Sequence, residues 1–346
     1  MKASMKAMLV REHGSPSVIK PEEVHTPRPG IHEVLLKVRG CALNHLDVWV
    51  RSGLPGVKLP LILGCDVAGE LVERGQGVSH LTEGDRLLVD PGLSCGICRE
   101  CLDGNENLCR HYHILGAGRD GGYAEYVTVP AANCFPIPEG LDFHQAASIP
   151  LVFLTAWHML VARAGIKMNE TVLVVGGGSG VGTAAIQIAK LHRCQVIATV
   201  GSQEKAKLAS ELGADHVIIH TEQNIAEEVR KITGKQGVGI VFEHVGPAVF
   251  ADCLASLAIN GRLVTCGATT GPRAEVDITR LFMKHQSIFG SIMGTKRELI
   301  ELLPFFSQGL LKPVVDRVLP LADAVKAHEI LESRKQFGKV VLDPTL

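Results

Sequence analysis

Four cysteines stand close together in the segment PGLSCGICRECLDGNENLC, at positions 95, 98, 101 and 109. A C-x2-C-x2-C-x7-C spacing lets three thiolates wrap one tetrahedral centre while a short loop returns the fourth, and soft sulfur donors of that kind suit zinc. Cys95, Cys98, Cys101 and Cys109 would fill every coordination position, so a metal held there is structural and leaves no place for substrate. An iron–sulfur cluster takes the same ligands, and four unrelated buried thiols are the plain alternative. The remaining six cysteines (Cys41, Cys65, Cys134, Cys194, Cys253 and Cys266) are scattered along the chain. In a cytoplasmic chain they are thiols or ligands and not a disulfide framework.

The second stretch with chemistry in it is TVLVVGGGSGVGTAAIQIAKLHRCQVIATV, residues 171–200. An apolar run at 172–175 reads as a buried strand, glycines and Ser179 make a turn, a helical pattern covers 181–191, and a second apolar run covers 196–200. This is a βαβ unit. The strict G-x-G-x-x-G motif is absent in every frame; what stands is Gly176, then Ser179, Gly180, Val181 and Gly182. Such a turn lets backbone approach a ligand, and the helix behind it aims unpaired N–H groups and a positive dipole end at a phosphate. A plain tight strand-to-helix connection is the alternative. An NAD site usually keeps an acid at the end of the second strand for the ribose 2′-hydroxyl. Here Val200 stands there, followed by Ser202 and Lys205, which can take a 2′-phosphate; the expectation is NADP(H), against a reading of Lys205 as a solvated charge offset by Glu204.

The bulk of the chain must position these groups. At 346 residues and 46% hydrophobic content there is material for two domains with large cores. A formal charge of −1 with mixed signs leaves no basic face for nucleic acid and no polybasic block for a membrane. The start, MKASMKAMLVREHG, lacks an apolar signal core, and the longest apolar stretch, 146–162, is broken by Ser148, Pro150, Thr155 and His158. The chain is therefore expected to be cytoplasmic.

Short strands at 34–38, 67–72, 86–89 and 123–129, with Gly and Pro between them, predict a mostly antiparallel β domain. Helices are expected at 143–149 and 154–164. Further parallel strands at 217–219, 240–242 and 262–266 alternate with helices ending near 213 and covering 224–232 and 248–257, which predicts an α/β doubly wound sheet. A tail with helices at 297–306 and 322–332 and a strand at 339–342 returns to the first domain. The expected division is 1–152 with 293–346, carrying the cysteine lobe at 91–113, and 153–292 for the nucleotide.

The segments CALNHLDVWVRSG (41–53), LGCDVAGE (63–70), GGYAEYV (121–127), FLTAW (153–157), GSGVGTAAIQIAK (178–190) and GRLVTCGATTG (261–271) together carry a resemblance. Over essentially its full length the chain resembles the medium-chain dehydrogenase/reductase superfamily, in particular its zinc-binding alcohol dehydrogenase and quinone oxidoreductase-like members. The resemblance implies a GroES-like catalytic domain, a Rossmann cofactor domain and a catalytic cleft between them. It also implies nicotinamide over Thr155, contacts to the cofactor from Val245 and Cys266, Gly267 and Ala268, and a homodimer or homotetramer paired near 287–293.

The catalytic motifs depart from the zinc enzymes of that superfamily. Their catalytic zinc typically uses a cysteine matching Cys41, a histidine where Cys65 stands in Gly64-Cys65-Asp66, and a cysteine or acid matching about Leu151; only the first is kept. Leu43 stands where the relay hydroxyl often lies. Asn44, Asp47 and Trp49 instead resemble the zinc-free quinone oxidoreductases, in which an Asn and an aromatic line the substrate pocket. Cys41, Cys65 and Asp66 could still hold a zinc with water as the fourth ligand; otherwise the two cysteines are small buried hydrophobes or oxidisable thiols. His45 reads as a structural histidine or as an acid/base. Three functions follow: NADPH-dependent reduction of a quinone or α,β-unsaturated carbonyl, with Asn44 polarising the carbonyl; zinc-dependent interconversion of alcohols and carbonyls; and a catalytically silent NADPH-binding protein. In each case the partner is a small molecule, with no nucleic acid and no membrane.

Overall fold

A computed structural model describes residues 3–346 of the protein. The chain divides into two compact units, the first running up to Leu151 and resuming at Thr295–Leu346, the second formed by Val152–Gly294.

The first unit contains strands β1 (Ser4–Val10), β2 (Ile19–His25) and β3 (Glu33–Ala42), helix α1 (His45–Ser52), then β4 (Leu61–Ile62), β5 (Asp66–Arg74), β6 (Arg86–Val89) and β7 (Gly92–Leu93). Helix α2 (Arg99–Leu102), strands β8 (His113–Ile114), β9 (Tyr126–Pro130) and β10 (Cys134–Pro136), and helix α3 (Phe143–Ala147) follow, and helix α4 (Pro150–Trp157) begins in this unit and has most of its length in the second. Its main sheet is organised on β3, which pairs antiparallel with β5 and with β9. Val34, Leu36 and Val38 alternate along β3 and pack with Val67, Leu71, Val127 and Val129 in one apolar core. Each such fully buried aliphatic side chain contributes about 1.5–3 kcal/mol.

In the second unit β11 (Thr171–Val174), α5 (Gly180–Leu191), β12 (Gln195–Val200), α6 (Gln203–Glu211), β13 (His216–Ile219) and α7 (Ile225–Ile232) are followed by β14 (Val238–Glu243), α8 (Pro247–Ser256), β15 (Leu257–Thr265), α9 (Ile278–Met283) and β16 (Ser287–Gly290). The sheet order is β13-β12-β11-β14-β15-β16, and every pair is parallel. The chain winds outward from β11 through β12 to β13, then returns to β14 and winds the other way. The carboxyl ends of β11 and β14 are therefore the topological switch point, where open α/β sheets bind ligands.

The tail, α10 (Lys296–Ser307), β17 (Val315–Pro320), α11 (Ala324–Glu332) and β18 (Lys339–Asp343), belongs to the first unit. There β18 pairs antiparallel with Cys41 and Ala42 of β3, and parallel with β17.

The fold class is the expected one, α/β with a largely antiparallel β unit and a doubly wound parallel one. Local details differ. The helix expected at 154–164 begins at Pro150 and passes into a π-helical segment, His158–Arg163, which the 3.6-residue pattern cannot distinguish from regular α-helix. Strands β1 and β2 lie outside the expected strands; β2 reads IKPEEVH, with charged residues on both faces and no apolar alternation to mark it. Helix α6 lies at Gln203–Glu211, and Gly213 beyond it takes φ +116°.

Candidate active site

The nucleotide turn is built from β11, β12 and β14. Gly176 adopts φ +65°, in the left-handed region that glycine enters without penalty. Its N–H donates to Thr199 Oγ1 at 3.0 Å, and Gly177 N donates to the Thr199 carbonyl at 2.8 Å, which ties the turn to β12. At Gly182 a Cβ would fall 2.2 Å from the Gly176 carbonyl oxygen, so only glycine lets α5 start this close to the strand. Ser179 is the N-cap: its Oγ accepts from Gly182 N at 3.0 Å. The first-turn N–H groups of a helix have no partner within it, and with the helix dipole behind them those of Gly180 and Val181 suit an anion.

The other expected cofactor residues gather at the carboxyl ends of the same sheet. Val245 and Cys266 to Ala268 directly follow β14 and β15. Buried Glu243 holds them: Oε1 accepts from Val245 N and Gly246 N, and Oε2 accepts from Thr265 Oγ1 at 2.7 Å. Burial pushes the Cys266 thiol up to about 12, so it stays protonated. Thr155 is buried, with its hydroxyl 3.8 Å from Met293 Sδ just past β16. At the end of β12 the side chain of Val200 is buried, while Ser202 Oγ caps α6 by accepting from Lys205 N at 3.3 Å. Thr199, Glu243 and His244 were not legible as site residues, since isolated polar residues in apolar strands carry no spacing signal.

In the first unit, Asn44, Cys65 and Asp66 of the residues expected to be catalytic meet in a buried polar cluster that includes one unexpected member, Lys339, whereas Cys41 and Trp49 make no hydrogen bond to it. Lys339 Nζ lies 2.9 Å from Asp66 Oδ2 and 2.6 Å from Asn44 Oδ1, and the two charged side chains are only 3% and 0% exposed. Because an ammonium can only donate, this contact fixes which amide atom of Asn44 is the oxygen. Asn44 Nδ2 then donates to Asp66 Oδ2 at 2.8 Å, with longer contacts to Cys65 Sγ at 3.2 Å and the Ala42 carbonyl at 3.4 Å. Asp66 Oδ1 accepts from Leu151 N at 2.8 Å. Asp47 closes the other side, accepting from Asn44 N at 2.7 Å and Gly64 N at 3.2 Å. Burial raises the Asp47 carboxyl to about 6. Trp49, half-buried one turn along α1 from His45, meets that ring edge-on at 5.9 Å.

This arrangement does not fit a second metal. Both oxygens of Asp66 are engaged, and the cation beside it is Lys339. Burial raises the thiols of Cys41 and Cys65 well above their ordinary range. Among the described residues, Cys41, Cys65 and Asp66 do not come together as a ligand group.

The cysteine lobe does fit a metal. The sulfurs of Cys95, Cys98, Cys101 and Cys109 lie within 4.8 Å of one another, with separations of 3.5, 3.6 and 3.9 Å among them. A tetrahedral site with Zn–S of about 2.3 Å places its sulfurs about 3.8 Å apart. The N–H groups of Ile97 and Cys98 stabilise negative charge on Cys95 and hold its thiol down to about 6, and His111 N donates to Cys109 Sγ at 3.3 Å.

Comparison with known proteins agrees with this geometry. Residues 30–139 match the alcohol dehydrogenase GroES-like domain family, and residues 180–308 the zinc-binding dehydrogenase family. The chain is 34% identical to an NAD-dependent alcohol dehydrogenase of Sulfolobus acidocaldarius, over 99% of this chain and 100% of that one. It is 32% identical to a quinone oxidoreductase of Rattus norvegicus, over 98% and 97%. A crystal structure of an NAD-dependent alcohol dehydrogenase superposes with a TM-score of 0.95 at 45% identity, covering 98% of this chain and 99% of that one. With a GroES-like unit, a parallel nucleotide sheet and relatives matched end to end, the chain belongs to the medium-chain dehydrogenase/reductase superfamily and is an oxidoreductase.

Proposed function

We propose that the protein reduces a quinone or an α,β-unsaturated carbonyl with NADPH. The observation that carries this reading is the Asp66–Lys339–Asn44 cluster, which sets an internal ion pair beside Cys65, one of the positions where an alcohol dehydrogenase of the zinc type carries a metal ligand. A bound nicotinamide supplies the hydride. The protein's part is to hold the acceptor and stabilise the negative charge that develops on its carbonyl oxygen. Asn44 suits that role: one amide hydrogen is held firmly by Asp66, whereas the second meets only a thiol and a distant carbonyl and can turn to a substrate oxygen. Lys339 against Oδ1 polarises the amide and strengthens Nδ2 as a donor. Trp49 offers an apolar wall, and the proton that completes the product comes from water or a nearby side chain.

Val200 offers nothing to a free 2′-hydroxyl, while the Ser202 hydroxyl and Lys205 lie at the start of α6, where a 2′-phosphate would sit; this supports NADPH. One structural zinc on Cys95, Cys98, Cys101 and Cys109 is part of the reading. So is a homo-oligomer formed along edge strand β16, beside which Ile278, Phe282 and Met283 of α9 are 71%, 62% and 69% exposed. No helix among the described residues is long and apolar enough to cross a membrane.

A zinc-dependent alcohol dehydrogenase is the second reading, supported by the relatives of that name. The deciding experiment is NADPH oxidation with a panel of quinones and enones, with Asn44→Ala expected to lower turnover far more than cofactor affinity. Robust zinc-dependent oxidation of primary alcohols, abolished by Cys41→Ala, would replace the proposal. No turnover with any acceptor, despite NADPH binding, would leave a silent nucleotide-binding protein.

A further inference from the structure

We infer that His244 is a cofactor-positioning residue, whose imidazole sets the hydroxyl of Ser179 and the glycine turn in the shape that receives the dinucleotide's pyrophosphate. The inference rests on the reading of that turn as the nicotinamide dinucleotide site.

His244 is the first residue after β14, at the switch point of the sheet, opposite the turn that follows β11. Its Nε2 lies 3.2 Å from Ser179 Oγ. The ring also lies on the face of Gly176, where a Cβ would fall 3.0 Å from Nε2 and 3.1 Å from Cε1. The backbone of His244 is pinned as well: its carbonyl accepts from Thr269 Oγ1 at 3.1 Å, and a Cβ at Gly267 would fall 2.6 Å from that oxygen. Phe242 meets the ring edge-on at 6.1 Å.

Ser179 Oγ already accepts from Gly182 N, so the hydroxyl has one hydrogen and one remaining acceptor position to place. Burial lowers the His244 imidazole to about 4, which leaves it neutral near pH 7 with one ring nitrogen a donor and the other an acceptor. In either tautomer the ring satisfies Ser179 and fixes its rotamer. Without it the hydroxyl is free to rotate, and the N-cap that orients the first-turn N–H groups loosens. The contact is common to both dinucleotides, because the pyrophosphate is present in each and the 2′-phosphate lies elsewhere.

Fluorescence titration of the full-length protein with NADPH and with NADH tests this. His244→Phe keeps an aromatic ring and removes both nitrogens; it should weaken both cofactors by the same factor, about tenfold for loss of a hydrogen bond of about 1.4 kcal/mol, with the NADPH-to-NADH ratio unchanged. His244→Gln, which places an amide nitrogen near the position of Nε2, should recover most of the loss. Ser179→Ala, which also removes the cap on Gly182 N, should weaken binding at least as much, and the His244→Phe/Ser179→Ala double variant should lose no more than Ser179→Ala alone. If the Phe variant does not fold, His244→Ala carries the same expectation. Wild-type affinity in His244→Phe, a Gln variant no better than Phe, or additive losses in the double variant would overturn the inference while leaving the cofactor site in place. Failure of the wild-type protein to bind either dinucleotide would overturn both.

Discussion

Replacing Lys339 by Met is the most informative single change, because it separates a buried ion pair from the shape that surrounds it. Lys339 and Asp66 are 2.9 Å apart and excluded from water. At about 3 Å and an effective dielectric near 20, their attraction is about 5–6 kcal/mol, offset by a desolvation cost of several kcal/mol for each ion. The pair as a whole therefore adds little, yet removing one partner strands the other, at about 3–5 kcal/mol. In Lys339→Met the Asp66 carboxylate keeps two neutral donors, Asn44 Nδ2 and Leu151 N, which points to the lower end of that range. A loss of about 3 kcal/mol lowers the midpoint of thermal unfolding by roughly 6–12 °C in a unit of this size. Asp66→Asn alone should cost at least as much, whereas Lys339→Met combined with Asp66→Asn removes both charges and should cost clearly less than the sum of the two. Urea unfolding followed by near-ultraviolet circular dichroism measures all four proteins. A Lys339→Met protein within about 1 kcal/mol of wild type, or strict additivity in the double variant, would refute the claim that the two charges depend on each other.

Elemental analysis should find one zinc per chain, lost in Cys98→Ala together with order in the lobe; two zinc ions per chain would reinstate a catalytic metal at Cys41 and Cys65. NADPH should bind at least about tenfold more tightly than NADH, about 1.4 kcal/mol, and Lys205→Ala should abolish the preference; equal affinities would show that no 2′-phosphate is read there. Burial pushes the Asp90 carboxyl up to about 7, although Gly92 N donates to it. A raised carboxyl binds its proton more tightly in the folded state, so its contribution is complete below about pH 4 and declines as pH rises to about 7. Asp90→Asn should accordingly gain stability relative to wild type between those limits, and a difference that stays flat with pH would show that Asp90 is not buried as a neutral acid.

What could be read without a fold was what adjacent residues decide among themselves. The ligand spacing at Cys95, Cys98, Cys101 and Cys109 is local, since a short lobe brings the sulfurs together whatever the rest of the chain does. The strand–glycine–helix order at 171–191 is equally local, because the turn at Gly176 and the cap at Ser179 are made by neighbours in sequence. Alternation and periodicity then sufficed for the two kinds of sheet, as each strand's burial follows from its own pattern. The polar cluster was beyond such reasoning. Lys339 opens an apolar strand and reads as a solvent-facing end, yet it meets Asn44 from 295 positions away. His244 reads as one more polar residue after a strand, and it reaches Ser179 only because β11 and β14 are neighbours in the sheet. The sequence by itself determined the lobe, the nucleotide turn and the fold class, because those depend on short-range spacing and on which side of each element is apolar. Only the tertiary structure decided that Asp66 is paired with an ammonium and that Asn44 bridges the two charges, because the partner of a buried charge is chosen by the strands that pack together.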